Sequence, residues 1–366
     1  MSRNLYALLV GINNYPKPVP PLHGCANDVV YFQQYLEARA NADLFAFHPC
    51  TLIDEQATRE QVIQQFQSHL VQAREQDVAL FYYSGHGSQE PAPPEFWRLE
   101  PDHLDETLVL YDSRTLGGLD LADKEVGYLI SQVAASGAHV VMIIDACHSG
   151  SATRAAQTET AIRWAPVDTR PRPLETYHLP ASLREKLSQL PATSDGGSSG
   201  WFPLPEGRHI LLAACQDRET AKEMRFAGQA FGAFSYHLLS ALQAMTGPVT
   251  YRDVFNQARA RVVSILSDQT PQIEVTQSGD MDQPFLGGAI RPRPPYFTIS
   301  YEKRRGWTAA GGSLHGLQPP QAGETTRLAI FPTSADLTVS PLPQAITQAQ
   351  VTQVGFNESR LQPDDP

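Results

Sequence analysis

Cysteine is scarce in this chain: four among 366 residues, Cys25, Cys50, Cys147 and Cys215, with no C-x-x-C pair. That speaks against a disulfide scaffold and against the common zinc patterns, and leaves reduced thiols of the cytosolic kind. Long hydrophobic runs are also missing. The first apolar stretch, Leu5 to Ile12, is too short for a signal peptide or a membrane span, and no longer one follows. Positive charge is in deficit, with 28 Lys plus Arg against 39 Asp plus Glu and a formal charge of −11. This argues against nucleic acid or an anionic membrane as partner and fits ligands that are themselves cationic. The expectation is a cytoplasmic protein.

What is present is a rhythm. Apolar runs at Tyr6–Ile12, Phe45–Ile53, Val78–Ser84, His139–Ala146 and Ile210–Ala214 read as strands, with a short edge strand at Thr107–Tyr111. Helical spacing fills Asn27–Arg39, Lys124–Ala135, Phe234–Met245 and Tyr251–Leu266, and Thr58 with Gln61 makes a capping box for a helix running to Arg74. Alternating βα units with two-sided apolar strands predict an α/β fold, a mostly parallel sheet between helices. Residues 151–207, rich in Pro, Arg, Ser and Gly, interrupt the rhythm and read as a long mobile loop with one short helix near Ala181–Leu190. Arg291-Pro-Arg-Pro-Pro295 reads as a linker. Beyond it, Tyr296–Tyr301, Arg327–Phe331 and Val351–Phe356 predict a small β-rich module that the chain end truncates.

Two of the strong strands run into polar clusters, Ser84-Gly85-His86-Gly87 and Asp145-Ala146-Cys147-His148-Ser149-Gly150. Ligands of open parallel sheets bind at the carboxyl ends of strands, where both clusters fall. A thiol needs a neighbouring base to become a nucleophile, and a His on an adjacent strand tip supplies one. The backbone N–H groups of Gly87 and Cys147 are natural oxyanion donors. His148 follows the thiol directly and points to the opposite face, so it packs or caps rather than acting as the base. A packed, inert His or Cys is the commoner reading of either residue alone; two glycine-flanked clusters on two strand ends shift the balance toward chemistry. A serine hydrolase would need a Gly-x-Ser-x-Gly elbow at the strand end, and Ser84-Gly-His-Gly does not match it, which sets that reading aside.

The two signatures resemble those of metacaspases and their bacterial relatives, the orthocaspases, over residues 5 to about 290. The resemblance implies a caspase-haemoglobinase fold with a six-stranded sheet. It divides residues 1–290 into a large-subunit-like part (1–150), a linker (151–207) and a small-subunit-like part (208–290), with 291–366 outside; because the chain begins directly at the first strand, no pro-domain is expected. It implies a cysteine endopeptidase for protein or peptide substrates, with His86 and Cys147 catalytic. The alternative is a caspase-fold scaffold without catalysis, although such proteins generally lose the His or the Cys.

Period-two geometry places Ser84 beside His86 and Asp145 beside Cys147, one step deeper, where a buried carboxylate needs a cation. By the resemblance, Cys25 and Asp28 of Leu22-His-Gly-Cys-Ala-Asn-Asp28 complete with them a pocket for the substrate's Arg or Lys; on its own Asp28 reads equally as a carboxylate at a helix N-terminus. Arg154, Arg163, Arg170, Arg172, Arg184 and Lys186 are the candidates for self-cleavage within the linker. Many metacaspases need calcium, and Asp105 and Asp123 match that pattern. Lys124 and Arg154, however, stand where oxygen ligands belong, so no metal or other cofactor is expected to be required.

Overall fold

Asn4–Gly11 carries no charged side chain and buries almost its whole length, as a central strand of a parallel sheet must. In the computed structural model of the chain this is β1. The residues described are 3–43, 45–147, 161–189, 207–216, 218–226, 228–245, 249–287, 297, 299–303, 305–311, 317, 319–320, 326–332, 344–355 and 358–364. After β1 come α1 (Cys25–Asp43), β2 (Ala46–Ile53), α2 (Arg59–Ser68), β3 (Val78–Ser84), β4 (Gly87–Pro91), β5 (Leu104–Leu108), β6 (Leu121–Ala122), α3 (Asp123–Ala134) and β7 (His139–Asp145). Then follow β8 (Ala161–Ile162), α4 (Ala181–Ser188), β9 (His209–Ala213), β10 (Lys222–Phe226), β11 (Gln229–Gly232), α5 (Ala233–Ala244), α6 (Tyr251–Ile265) and β12 (Gln272–Val275).

Six strands form the main sheet in the order β12-β9-β7-β3-β1-β2, all parallel except β12. Side chains alternate between its faces. Leu8, Val10, Phe81, Tyr83, Met142 and Ile144 meet Phe66 of α2 and Leu129 of α3 on one side. On the other, the Tyr82 ring stacks on Phe32 of α1 at 4.8 Å and its hydroxyl reaches Ser235 of α5 at 2.6 Å. Each such burial contributes roughly 1.5–3 kcal/mol, which explains why these runs dominate the local pattern. Thr58 caps α2 as expected, accepting from the Gln61 amide at 3.3 Å.

Register matters most for function. Gly11 lies opposite Ser84, and Ser84 opposite Asp145, so β1, β3 and β7 all end at one level. The two sequence clusters therefore leave the sheet side by side.

Two expectations are corrected. The strand expected at Thr107–Tyr111 is Leu104–Leu108 and belongs to a separate antiparallel sheet, β4-β5-β6, because its backbone pairs with Gly87–Pro91 and Leu121–Ala122; the sixth strand of the main sheet is β12. The described part of the linker, 161–189, is not a loose loop. Its Arg163, Ala165, Arg172, Leu174, Tyr177, Leu183 and Leu187 are all buried; Leu174, Tyr177, Leu183 and Leu187 pack against Ala92, Phe96 and Ala122, and Ala165 against Val19 and Val109. Proline and arginine density concealed this, because the burial is satisfied by ion pairs as much as by apolar periodicity.

The strands β13 (Ile299–Glu302), β14 (Gly306–Ala309), β15 (Arg327–Ile330), β16 (Thr347–Val354) and β17 (Ser359–Pro363) make a second compact unit, one antiparallel sheet in the order β13-β14-β17-β16-β15. Its small core is Ala309, Ala349, Val351 and Leu361, with Trp307 and Leu328 against them. Among the described residues no helix is long and apolar enough to cross a membrane.

Candidate active site

His86 follows β3 and is fully buried. Its ring nitrogen Nε2 lies 2.9 Å from the Pro20 carbonyl, which can only accept, so Nε2 carries the proton and Nδ1 keeps its lone pair. Nδ1 has no hydrogen-bond partner among the described residues. The backbone is held too: the His86 amide donates to the Tyr15 hydroxyl at 2.9 Å, and the His86 carbonyl accepts from Tyr83 Oη at 2.7 Å and from the Val109 amide at 3.0 Å. Burial pulls the His86 pKa down to about 4, against the opposing pull of the Pro20 carbonyl, so the ring is neutral at ordinary pH. Cys147 follows β7, is equally buried, and receives the Ala221 amide on Sγ at 3.0 Å.

Between these groups runs the chain itself. Ala161 and Ile162 pair antiparallel with Glu223 and Lys222 of β10, and the Arg163 amide donates to the Ala221 carbonyl at 2.9 Å. The Arg163 carbonyl accepts from the amides of Gly87, at 3.1 Å, and Cys147, at 3.2 Å. These are the two expected oxyanion donors, and they converge on one carbonyl oxygen. The Ala165 amide then donates to the Gly87 carbonyl at 2.9 Å. Gly87 has to be glycine, because a Cβ there would stand 1.6 Å from the Cys147 carbonyl oxygen.

The Arg163 side chain fills the acidic pocket and is wholly buried. One terminal nitrogen, Nη2, meets Asp28 Oδ2 at 2.6 Å and Glu223 Oε1 at 3.2 Å. The other, Nη1, meets Ser84 Oγ at 2.8 Å and both the carbonyl and Oδ2 of Asp145 at 3.2 Å. The Ser84 hydroxyl donates a hydrogen bond to Asp28 Oδ2 at 2.8 Å, and Asp145 accepts from the amide and hydroxyl of Ser235. Cys25 lines the same pocket, its Sγ 3.5 Å from Glu223. Burial pushes Asp28 up to about 7 despite the guanidinium beside it. For Glu223 burial is outweighed by Arg163 and the amides of His23 and Gly24, which hold its carboxyl below the ordinary range. Gly232 lets this cluster close, since a Cβ there would lie 2.2 Å from Asp145 Oδ2.

Cys25, Asp28, Ser84, His86, Gly87, Asp145 and Cys147 are thus brought together. Glu223, Pro20 and Tyr15 were missed. Nothing local marks them: Glu223 reads as an ordinary charge in a short strand, and the other two contribute through backbone or packing. Of the six basic linker candidates, only Arg163 is seen at the site. Arg170 pairs with Asp168 at 2.6 Å, Arg172 is buried between Glu90 and Glu125, and Arg184 and Lys186 lie on α4. Arg154 and His148 fall outside the described residues.

The acids aligned with calcium ligands do gather. Glu100, Asp105 and Asp123 each offer an oxygen, all within 4.8 Å of one another, the only such group found among the described residues. The Lys124 ammonium stands in their midst, 2.9 Å from Asp123 and 3.1 Å from Asp105, and it also pairs with Glu100. The other Asp105 oxygen takes the Tyr177 hydroxyl at 2.5 Å. Ca²⁺ wants six to eight oxygens and no cation among them. This set does not fit it.

A buried neutral imidazole and a thiol thus stand just beyond the ends of adjacent parallel strands, with two amides converging on one peptide carbonyl. The chain belongs to the caspase-domain family, whose profile matches residues 4–282. It is 26% identical to Metacaspase-1 of Mycosarcoma maydis over 76% of this chain and 72% of that one, and 26% identical to Metacaspase-1 of Candida albicans over 76% and 66%. Metacaspase-1A of Aspergillus clavatus is 24% identical over 75% and 66%. The chain therefore spans about two thirds of the length of these relatives. The crystal structure of a Geobacter sulfurreducens protein shares the fold, with a TM-score of 0.52 at 23% identity over 77% of this chain and 98% of that one.

Proposed function

We propose that the chain is an active cysteine endopeptidase that cuts after Arg, less readily after Lys, and that the Arg163–Trp164 bond is its first substrate. The observation that carries this reading is the placement of Arg163, side chain in the acidic pocket and carbonyl on the Gly87 and Cys147 amides.

In the reaction, His86 Nδ1 takes the Cys147 thiol proton as Sγ attacks the Arg163 carbonyl carbon. The two amides hold the resulting oxyanion. As the C–N bond breaks, the proton on His86 passes to the departing Trp164 amine and leaves a thioester on Cys147. Water, deprotonated by His86, attacks the thioester, releases the Arg163 carboxylate and restores the thiol as the proton returns to sulfur. Arg is favoured because its fork reaches Asp28 and Glu223 with one nitrogen and Asp145 and Ser84 with the other, which a single ammonium cannot do. Substrates ending in Asp are repelled by three carboxylates. The substrates are proteins or peptides in the cytoplasm, nucleic acid and membrane are not partners, and calcium is not required, since the Lys124 nitrogen already sits among the acids a metal would use.

The test is sequencing of the cleavage product. On incubation the wild type should yield a smaller piece beginning at Trp164, at the same rate in excess chelator, while Cys147→Ala stays a single band. A piece beginning elsewhere, or cleavage that stops in chelator and is restored by calcium alone, would overturn the corresponding part of the reading.

Self-cleavage should also tolerate acid. The base is needed neutral, and its neutral form is lost only as pH falls through about 4. The rate should therefore hold from pH 7 to pH 5 and fall about tenfold per unit well below 4. Quenched time courses across that range check this; a midpoint near the ordinary imidazole value would contradict the burial that sets it.

A further inference from the structure

Cleavage after Arg163 would free a new end at Trp164, yet almost everything that holds the chain beyond that bond is independent of it. The Ala165 amide is paired with the Gly87 carbonyl, and the Ser88 hydroxyl lies 3.0 Å from the carbonyls of Ala165 and Pro166. The Asp168 amide donates to the Gln89 carbonyl at 2.9 Å, so the segment runs along β4, the strand that leaves the candidate site.

Two arginines then lock it. Arg170 grips Asp168 and donates to the Ser113 carbonyl at 2.9 Å. Arg172 is buried between Glu90 of β4 and Glu125 of α3, with its guanidinium 4.0 Å above the Tyr177 ring. Beyond them Leu174, Leu179, Leu183 and Leu187 sink into the apolar cluster around Phe96. Cutting one peptide bond removes none of these contacts. On the other side of the bond the described hold is the two residues of β8 together with the side chain and backbone of Arg163.

We propose that residues 164–172 stay docked after cleavage as a resident strand in the leaving-group half of the groove, and that they make the processed enzyme cut faster after an Arg followed by a small group than after one followed by a longer chain. This rests on the reading of Arg163–Trp164 as the bond that is cut. A peptide entering from the pocket side can use β10 and the pocket once Arg163 has left. One that continues past its Arg must compete with Ala165 for the Gly87 carbonyl and with Asp168 for Gln89. Arg170 and Arg172 are then positioning residues for selectivity, touching neither substrate nor reacting atoms.

The experiment uses the processed wild-type protein, with the Trp164 terminus first established by sequencing. Hydrogen exchange over 164–172 should show protection kept to within about tenfold of the uncleaved Cys147→Ala chain. A fluorogenic Arg amide should then be cleaved at least about tenfold better, in kcat/KM, than a peptide with the same residues before Arg and four more after it. Arg170→Ala, at a half-exposed position, and Arg172→Gln should each narrow that ratio by raising cleavage of the longer peptide while leaving the amide nearly unchanged. If Arg172→Gln does not fold, Arg170→Ala and the exchange measurement still decide. Free exchange over 164–172 after cleavage, or equal cleavage of the two substrates, overturns the proposal while leaving the cut site standing. A terminus other than Trp164 instead overturns the reading on which it rests.

Discussion

Cys147→Ala and His86→Ala should each lower turnover of an Arg-ending fluorogenic peptide by a factor on the order of 10⁴ or more, and the double variant should be no worse than either single one. The non-additivity is the informative part. A thiol without its base and a base without its thiol are equally idle, whereas two residues that merely pack would add their effects. Cys147→Ala removes one atom from a small buried side chain, and the pocket ion pairs and main sheet do not depend on it. Its melting temperature should stay within a few degrees of the wild type. His86→Ala empties a larger volume under Tyr15, whose ring centroid lies 4.9 Å away, and should cost more stability. The check is kcat/KM for the three variants together with thermal melts. Full turnover in either single variant would end the proposed mechanism.

The second large effect concerns stability. In a Cys147→Ala background, where the chain stays whole, Arg163→Ala should destabilise the protein by about 3–5 kcal/mol, because three buried carboxylates lose the cation they share. Arg163→Lys should recover part of that. The pH dependence has a definite sign. Without the guanidinium, burial makes Asp28 and Glu223 bind protons more tightly folded than unfolded, so the variant loses stability as pH rises and recovers some as it falls. Burial already sets Asp28 at about 7 with Arg163 in place, so the gap between the two melting curves should be widest above pH 7 and narrow toward pH 5. Melts at both pH values test this. A gap that is absent, or that widens in acid, would mean that the pocket acids are solvated and do not depend on Arg163.

Much of this could be read from residues close together in sequence. The runs Val78–Ser84 and His139–Asp145 announced themselves as strands because a central parallel strand buries both faces, and burial of that kind shows as an unbroken apolar run. The glycine-flanked His86 and the Asp145-Ala-Cys147 cluster followed from where those strands stop, and the alternation of faces put Ser84 and Asp145 one step deeper. The antiparallel strands were harder. Gly87–Pro91, Lys222–Phe226 and Gln272–Val275 are short, and their places are settled by partners that sit far along the chain.

The linker shows the division most clearly. By sequence, Arg154, Arg163, Arg170, Arg172, Arg184 and Lys186 were six equivalent basic residues in a Pro-rich stretch. Only the fold separates the described ones. Arg163 meets acids from α1, β7 and β10, while Arg172 is held by acids from β4 and α3. Which strands form, and which side chains stand at their tips, is a matter of short-range burial and alternation, so the sequence alone determined that His86 and Cys147 follow strand ends with Ser84 and Asp145 one step deeper. Which arginine completes that pocket depends on carboxylates supplied by segments up to about 200 residues apart in the chain, and charge pairing over such distances has no local signature, so only the tertiary structure decided it.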